Sequence, residues 1–566
     1  MAIASVVVLV LAASPVEVAG ARSQETPTAP VPVVRLPFPQ EDGTLTPYTF
    51  ELGYSLVTLV YDTLLWRDEE GVPQPWLATA VETSADGRQL TIRLNDGARW
   101  HDGRPVTAAD VAFTFDFVAE HPHPRFTPEL RAVEKVVVTN PATVVITLRH
   151  PSPGFLDQPL SDVPILPAHL WQNLPRSRLA PEGLPVGSGP FRLVDHRPGE
   201  SYRFEANTTY FRGPPSVSML EVPIIGDANG TLQALERRRV DMIPVSLPED
   251  AAARVEGLGT KVREGPAYLG TVLMFNLRQA PFDRPEVRRA ISGALDLRRV
   301  SRAVGTAVAA DRGYLHPASP WASKTVLHKT KEVAAARTEM ANLGLPPIEV
   351  LAADNDPVKL EAGRQVALAL ERAGAKATSR GVPRDELSRA VGEEGGQPSF
   401  GVAIWTSPPL ASYDPDFLRR LFGSAPGDAT FNYPGYRNPS FDDLTQRIAS
   451  TVDPVARRAA TGEALRVLAG DLPVIPLFFS TGTFTYRPAI YDGWVFVKGT
   501  GILDKRSFVN TRPPAPPDDT RPPAEDAGAP DDGPGQKRSP IAYAAAAVLA
   551  LALLIGLVGV VTSRRR

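Results

Sequence analysis

The sequence predicts an α/β protein of two large lobes, and three features support this prediction. A chain of 566 residues is longer than one compact hydrophobic core usually allows, so two lobes are expected. From residue 271 onward, short apolar segments alternate with helical segments, which favours an open sheet flanked by helices. Between residues 219 and 243 a strand, a helix and a strand follow one another closely, which predicts a parallel βαβ unit.

The first third of the chain combines helical and strand patterns. The predicted elements are a helix over 52–65, a strand that ends at Leu94, a helix over 107–117 and a hairpin of strands 136–139 and 144–148. Asp86 and Gly87 form the turn before the first strand, and Thr107 caps the second helix.

The next segment is organised around a tight bend at Gly187, Ser188, Gly189 and Pro190. Two glycines accept positive φ and the proline fixes the exit direction. After the bend we predict a hairpin of strands 191–194 and 202–206, a strand over 219–225, a helix capped by Asp227 and a strand from Val240.

The second half repeats the alternation of strands and helices. Predicted strands cover 272–276, 348–351, 375–378 and 402–405, and predicted helices begin at Asp283, Pro357, Arg384 and Val455. The segment 473–479 is apolar and is expected to lead back toward the first lobe.

Both ends of the chain indicate a membrane context. Residues 1–21 contain a short apolar stretch, a proline and small residues, which is typical of a signal peptide. Residues 22–36 are a predicted flexible lead-in, and the Pro- and Asp-rich residues 511–540 a stiff linker. Residues 541–562 carry no charge and are long enough to cross a bilayer, so we predict a transmembrane helix with a cytoplasmic basic tail at 563–566. A buried core helix and a sortase signal are the alternatives, but no Leu-Pro-x-Thr-Gly motif precedes the segment.

Composition excludes several classes of function. The formal charge of −3 includes no internal basic block, so nucleic-acid binding is not expected. The absence of cysteine removes disulfides, thiolate metal sites and a lipid-attachment cysteine. No nucleophile elbow, phosphate-binding loop or dinucleotide fingerprint is present, so we predict neither an enzyme nor a cofactor. The pair His121 and His123 alternates with prolines and is interpreted as a solvated loop rather than a metal site.

The motifs resemble those of one family. Gly-Ser-Gly-Pro-Phe-Arg-Leu at 187–193, Trp-His-Asp-Gly-Arg-Pro-Val-Thr at 100–107 and Tyr-Asp-Thr-Leu-Leu at 61–65 resemble the family 5 extracellular solute-binding proteins, which are peptide- and nickel-binding components of ABC importers. The resemblance runs from about Leu36 to Asn510.

The resemblance implies a two-lobed, periplasmic-binding-protein-like fold (type II, large cluster C) with an extra subdomain in lobe 1. It places lobe 1 at 37–270 with the subdomain at about 65–166, lobe 2 at 271–475 and a return to lobe 1 at 476–510. The expected partners are a small-molecule or peptide ligand and the permease subunits with their ATPases.

Candidate ligand-binding residues lie in three places. Trp405 and Thr406 end a predicted strand, and in open α/β sheets ligands lie beyond the carboxyl ends of strands. Tyr413 and Asp414 follow in the same proline-rich loop, although Trp405 could pack inside the lobe and Asp414 could cap a helix. The other candidates are Leu45 and Tyr48 in one loop and Gly187, Ser188 and Gly189 in the bend.

One position departs from the family pattern. In the family's dipeptide- and oligopeptide-binding members an aspartate shortly after the tryptophan pairs with the ligand's α-amino group, and the nearest position here is Pro408. We therefore predict a membrane-anchored, extracytoplasmic binding protein for peptides or peptide-like solutes, with no catalytic residues. The alternative is an envelope sensor that uses the same fold without transport.

Overall fold

The computed structural model describes residues 30–509 apart from 51–52, 124, 176, 245–253, 306, 324–327, 394, 409 and 426–430. The predicted signal peptide 1–21, linker 511–540 and transmembrane helix 541–562 lie outside the described residues. In the part that is described, every helix is either too short or too polar to cross a bilayer.

The described strands are β1 Val34–Arg35, β2 Leu65–Arg67, β3 Pro73–Pro75, β4 Ala78–Thr83, β5 Gln89–Leu94, β6 Val133–Asn140, β7 Thr143–Leu148, β8 Phe191–Arg197, β9 Ser201–Ala206, β10 Met219–Pro223, β11 Met242–Ile243, β12 Lys261–Phe275, β13 Ala307–Ala309, β14 Ile348–Ala353, β15 Ala377–Val382, β16 Val402–Ser407 and β17 Val474–Tyr486.

The described helices span Tyr54–Val60, Ala108–Glu120, Thr127–Leu130, Pro159–Asp162, Ala168–Trp171, Ala228–Glu236, Pro285–Ala294, Leu297–Ala303, Val333–Leu343, Pro357–Arg372, Arg384–Val391, Leu410–Tyr413, Phe417–Phe422, Pro439–Ser450 and Pro454–Asp471. Short 3-10 turns cover Pro153–Phe155 and Lys505–Ser507.

The first lobe contains two four-stranded sheets, in the orders β1-β10-β9-β8 and β4-β5-β7-β6, and the small pair β2-β3. One core unites them, since Ile92, Ile146 and Leu220 belong to a single buried cluster. The same cluster includes Phe484 and Phe508, so the last part of the described chain completes the core of this lobe.

The second lobe is built on a seven-stranded sheet in the order β11-β17-β12-β16-β14-β15, with β13 added beside β17. Alternate residues of β16 enter different cores: Ala403 and Trp405 belong to one cluster, and Val402 and Ile404 to another. This period of two means that helices cover both faces of the sheet.

An antiparallel ribbon of β12 and β17 joins the lobes. Lys261–Pro266 pairs with Thr481–Tyr486, the register shifts, and pairing resumes at Gly270 opposite Phe479. Tyr268 lies in this irregular segment with φ of 59°, a left-handed conformation that is uncommon for a bulky residue. Because β17 begins in the cores of the second lobe and ends in that of the first, the irregularity lies between the lobes.

Most predicted elements are confirmed, but the predicted βαβ unit is wrong. The hairpin of β8 and β9 is present, and Thr107 and Asp110 form a capping box before the Ala108–Glu120 helix. However, β10 pairs with β9 antiparallel and with β1 parallel, while β11 lies in the other sheet beside β17. The helix between β10 and β11 therefore connects two sheets, because the parallel neighbour of β10 comes from the distant amino-terminal segment.

The predicted helix over 52–65 is also too long. The described helix ends at Val60, and Tyr61 already has extended backbone angles. The apolar residues that follow enter β2, which pairs with β3. These residues are buried in a strand, so the apolar pattern continues although the helix has ended.

Candidate functional site

The two lobes meet at the side chain of Tyr413, which is 6% exposed. Its hydroxyl donates to the carbonyl oxygen of Lys498 at 2.6 Å. The guanidinium of Arg67, in β2, lies 4.4 Å from the centre of the Tyr413 ring, which is within cation–π range. Tyr413 belongs to a core of the second lobe, so these contacts join the lobes in a closed arrangement.

Two glycines allow the Tyr413 ring to approach the first lobe. A Cβ atom at Gly71 would lie 2.9 Å from a ring carbon, and one at Gly499 would lie 2.0 Å from the hydroxyl oxygen. Both glycines also have positive φ. A larger residue at either position would collide with the ring, so the close contact depends on glycine.

A buried group of charges surrounds this contact. Arg67 contacts Asp157 at 2.8 Å in the first lobe, and Arg457 contacts both oxygens of Asp414 at 2.6 and 2.9 Å in the second. Asp414 also lies against the backbone of Gly154, where a Cβ atom would be 3.1 Å from its Oδ1. Burial raises the pKa of Asp157 to about 6, against the opposing effect of Arg67. Each carboxylate thus has a guanidinium partner within its own lobe.

Trp405 is 7% exposed and packs within the second lobe. The guanidinium of Arg384 lies 4.6 Å from the centre of its ring, and Tyr433 meets it edge-on at 5.7 Å. Thr406, opposite Thr271 of β12, is partly exposed. This end of β16 extends past its pairing with β14, which stops at Ala403.

The loop candidates Leu45 and Tyr48 lie inside the first lobe. Leu45 is fully buried and has φ of 54°. The hydroxyl of Tyr48 donates to the carbonyl oxygen of His121 at 2.9 Å, and its ring meets Phe117 edge-on at 5.3 Å. The Tyr48 side chain therefore holds the loop to the subdomain formed around the Ala108–Glu120 helix, while Leu45 belongs to the core of the first lobe.

The bend at Gly187, Ser188 and Gly189 packs closely against the end of the Tyr54–Val60 helix. A Cβ atom at Gly187 would lie 1.9 Å from the carbonyl oxygen of Val60. The Ser188 hydroxyl donates to Asp62 at 3.2 Å and is fully buried. In this conformation the bend holds the core of the first lobe together.

The interpretation of His121 and His123 as a solvated loop is wrong for His123. Its side chain is 6% exposed and stacks on Phe126 with ring centres 4.4 Å apart. Burial lowers the pKa of His123 to about 4. The sequence did not indicate this burial, because Tyr48 and Phe50, which contact the ring together with Phe126, lie far earlier in the chain.

Sequence reasoning missed several residues that the fold brings to the junction between the lobes. They are Arg67, Asp157, Tyr268, His316, Arg457 and Lys498. The sequence contains an indication that Arg67 is unusual, because this charged residue directly follows the apolar Leu64-Leu65-Trp66. Lys498 gave none, because nothing local distinguishes it from a surface lysine in a loop.

A family model connects this architecture with known proteins. The model for bacterial extracellular solute-binding proteins, family 5, matches residues 72–428, more than half of the chain. The chain belongs to this family. The resemblance seen in the sequence is thereby confirmed, and the protein is a solute-binding protein rather than an enzyme.

Individual relatives agree with this assignment. The dipeptide-binding protein of Escherichia coli is 25% identical over 440 residues, covering 72% of this chain and 81% of the relative. The probable di/tripeptide-binding protein 5 of Pseudomonas aeruginosa is 27% identical over 403 residues, covering 66% and 76%.

A solved structure shows the same fold. The oligopeptide-binding protein AppA of Bacillus subtilis, solved with a nonapeptide, aligns with a TM-score of 0.73 at 19% identity, covering 85% of this chain and 99% of that one. The prediction of a two-lobed, periplasmic-binding-protein-like α/β fold is confirmed.

Proposed function

We propose that this solute-binding protein is the membrane-anchored, extracytoplasmic component of an ABC importer, and that it carries peptides or peptide-like solutes to the permease. Its family membership is the observation that carries the proposal. The peptide-binding relatives support a peptide-like ligand.

Capture by closure of the lobes is consistent with the geometry. A ligand that contacts both lobes stabilises the closed state over the open one, because only the closed state offers both sets of contacts. The ribbon of β12 and β17 with its irregularity near Tyr268 is a suitable hinge, since a few residues with unusual backbone angles can absorb the rotation. The contact between Tyr413 and Arg67 would form as the lobes close.

We assign lobe 1 to residues 37–270, with the inserted subdomain at about 65–166, lobe 2 to 271–475 and the return segment to 476–510. Strand β1 belongs to lobe 1 as well, so the predicted flexible lead-in at 22–36 is wrong for its last residues, which are buried in that lobe. The core clusters support this division, since Phe484 and Phe508 lie in the core of the first lobe. Limited proteolysis tests this division of the chain. Cleavage at the proposed boundaries should produce fragments that remain associated.

The proposed ligand contacts are those predicted from the sequence, and in the described conformation Leu45 and the bend at 187–189 are buried inside the first lobe. They are Leu45, Tyr48, Gly187, Ser188, Gly189, Trp405, Thr406, Tyr413 and Asp414. Asp414 is already bound to Arg457 through both oxygens and Pro408 carries no charge, so a free α-amino group would have to find its partner elsewhere. We expect peptides with free and blocked amino ends to bind with similar affinity.

The ligand identity is tested in two steps. Mass spectrometry of the solute that co-purifies with the protein identifies the ligand class. Calorimetry then compares peptides with free and acetylated amino ends. Trp405→Ala is expected to weaken binding by tenfold or more, since an aromatic wall contributes about 1.5–3 kcal/mol. An affinity within twofold of the wild type would remove Trp405 from the site.

We further propose that residues 541–562 anchor the protein in the cell membrane with residues 563–566 on the cytoplasmic side. The uncharged length of this segment and the arginines that follow support the proposal. A chain that stops at Asn510 should be found in the soluble fraction, whereas the full chain should stay with the membrane. If the shortened chain stays with the membrane too, this anchor is wrong.

A further inference from the structure

A cavity lies inside the second lobe, between the helices Pro285–Ala294 and Pro454–Asp471 and the start of β17. Its volume is about 280 Å³. Every described lining residue lies between Arg289 and Pro476, and none of the ligand contacts proposed above is among them. The cavity is therefore distinct from the proposed solute site at the junction of the lobes.

The inside of this cavity is apolar. Buried side chains from three helices and from β17 meet there, and they are Leu297, Phe422, Leu465, Leu468, Val474 and Ile475. Voids in protein interiors are seldom larger than a water molecule, so a space of this size is more than a packing defect. With such a lining it is suited to a hydrocarbon group.

The polar side chains of the lining already have partners. The Nε2–H of His328 donates to the carbonyl oxygen of Leu295 at 2.9 Å, and its Nδ1 lies 3.4 Å from the hydroxyl of Ser292. Burial lowers the pKa of His328, so the ring is neutral at pH 7. These side chains offer little hydrogen bonding to a molecule that enters, so the entering group must itself be apolar.

Cationic side chains surround the opening of the cavity. Arg289, Lys329 and Lys331 line it but are exposed, so they lie at its entrance. The backbone N–H of Lys331 donates to the carbonyl oxygen of Gly293 at 2.7 Å, and a Cβ atom at Gly293 would lie 2.8 Å from the Lys331 side chain. The missing side chain at Gly293 thus allows the lysine to cross the helix beside the entrance.

Two of these cations lack an anionic partner. Among the described residues Lys331 pairs with Glu339, whereas neither Arg289 nor Lys329 forms an ion pair. The neighbouring Asp311 is bound to another arginine at 3.0 Å, and the described lining contains no Asp or Glu. The entrance therefore combines uncompensated positive charge with an apolar interior.

We propose that this cavity binds an amphipathic anion, with the hydrocarbon tail among the buried leucines and the carboxylate beside Arg289 and Lys329. One medium-chain fatty acid fits the space. A cavity of about 150 Å³ holds one benzene ring, so this one holds about ten carbon atoms, which excludes the two chains of a phospholipid. The site lies apart from the solute site, so this inference does not rest on the proposed function.

Calorimetry on the full-length protein at pH 7.5 tests the tail and the head group with three probes. Octanoate should bind. Butanoate has four fewer methylene groups and should bind at least about 100-fold more weakly, since each buried methylene changes the affinity about fourfold. Octylammonium has the tail of octanoate with the opposite charge and should bind at least about tenfold more weakly than octanoate.

Substitution of exposed residues tests the contacts of the carboxylate. The double variant Arg289→Gln, Lys329→Gln should weaken octanoate binding about 5- to 30-fold, because two charge contacts are lost. The matched control is Arg299→Gln, since Arg299 is also exposed but does not line the cavity. The control and Trp405→Ala should both stay within about twofold of the wild type. Thermal unfolding shows whether each variant folds.

A measurement on the wild type locates the ligand without any substitution. In methyl NMR spectra of protein labelled at leucine and valine, octanoate should shift the signals of Leu465, Leu468 and Val474. Octylammonium at the same concentration should shift them less, because its head group is repelled at the entrance.

Several results would overturn the inference. They are the absence of octanoate binding at about 1 mM, equal affinity of the double variant and the wild type, and methyl shifts confined to other parts of the protein. Equal binding of octanoate and octylammonium would also refute it, since the site would then not select an anion. Loss of octanoate binding in Trp405→Ala would place the ligand between the lobes instead. The peptide ligand of the proposed function is measured separately and is unaffected by any of these results.

Discussion

At the residue scale, the most deeply buried charge of the first lobe is the ion pair of Lys505 and Asp62. The two side chains are fully buried and lie 2.8 Å apart. Asp62 also accepts hydrogen bonds from Trp76 and Tyr210, both at 2.9 Å. Because neither charge reaches water, removal of either side chain would leave the other buried without a counter-charge. The ion pair also ties the end of the described chain to the first lobe.

Lys505→Met should therefore lower the free energy of unfolding by about 3–5 kcal/mol, since it leaves the Asp62 carboxylate buried without its cation. Urea denaturation measures the change. The matched control is Lys261→Met, because Lys261 is 57% exposed and its contact with Asp492 faces solvent. The control should change stability by less than about 1 kcal/mol. Equal effects of the two substitutions would contradict this account.

Two buried histidines, His123 and His316, and the half-buried His101 predict how stability depends on pH. Burial lowers the pKa of His101, His123 and His316 to about 4 each. In the unfolded chain a histidine titrates near 6.5, so below that pH the unfolded state binds protons that the folded state excludes. The stability lost as pH falls begins near 6.5 and continues toward 4.

Between pH 7.5 and 5.5 each of these histidines should cost about 1.4 kcal/mol of folding free energy. The melting temperature should therefore fall over this range. His123→Asn should reduce the pH-dependent loss by about a third, while substitution of the exposed His150 should leave it unchanged. A stability that rises on acidification over this range would show that the carboxylates with raised pKa, such as Asp157, outweigh the histidines.

At the element scale, the bend after Val186 shows how a turn is fixed by what packs against it. Gly187 and Gly189 lie so close to the end of the Tyr54–Val60 helix that Cβ atoms would be 1.9 and 2.4 Å from its carbonyl oxygens. Gly189 N–H also donates to Val60 at 2.8 Å. Neither glycine has positive φ, so the prediction that the bend needs glycine for its backbone angles is wrong. The close contact with the helix is what requires them.

Gly187→Ala should destabilise the protein by at least about 2 kcal/mol, because the added carbon must displace helix backbone. Gly462→Ala is the control. Gly462 lies in the Pro454–Asp471 helix, and a Cβ atom there meets no atom within 4 Å. Alanine should stabilise that helix by about 0.5–1 kcal/mol. The two substitutions are thus expected to move the urea midpoint in opposite directions, and a shift in the same direction would contradict the packing argument.

At the scale of the whole molecule, the side chain of Tyr413 links the two lobes. Tyr413 supplies a hydrogen bond to Lys498 and an aromatic face to Arg67, while the charges of Asp157 and Asp414 are compensated within each lobe. Contacts of this kind stabilise a closed state only modestly, so a ligand of ordinary affinity can shift the balance between open and closed forms.

Tyr413→Phe removes the hydroxyl bond between the lobes and should shift the equilibrium toward the open form about 2- to 10-fold, because a hydrogen bond contributes about 0.5–1.5 kcal/mol. Small-angle scattering of the ligand-free protein should show a larger radius of gyration. Tyr314→Phe is the control, since Tyr314 lies in the core of the second lobe. If the control expands the molecule as much as Tyr413→Phe does, the hydroxyl bond does not hold the lobes together.

The sequence by itself determined the local structure and the family. Caps such as Thr107 with Asp110, hairpins such as β8 with β9 and the alternation of strands with helices depend on residues a few positions apart, so the chain encodes them directly. The family motifs are likewise short and contiguous.

Only the tertiary structure decided which distant segments meet. Nothing near β10 indicates that its parallel partner is β1, more than 180 residues earlier, and nothing near Lys505 indicates Asp62. The same is true of the two lobes that meet at Tyr413. The physical reason is that local propensities fix each element, whereas the choice of partner depends on burial and charge compensation summed over the whole molecule.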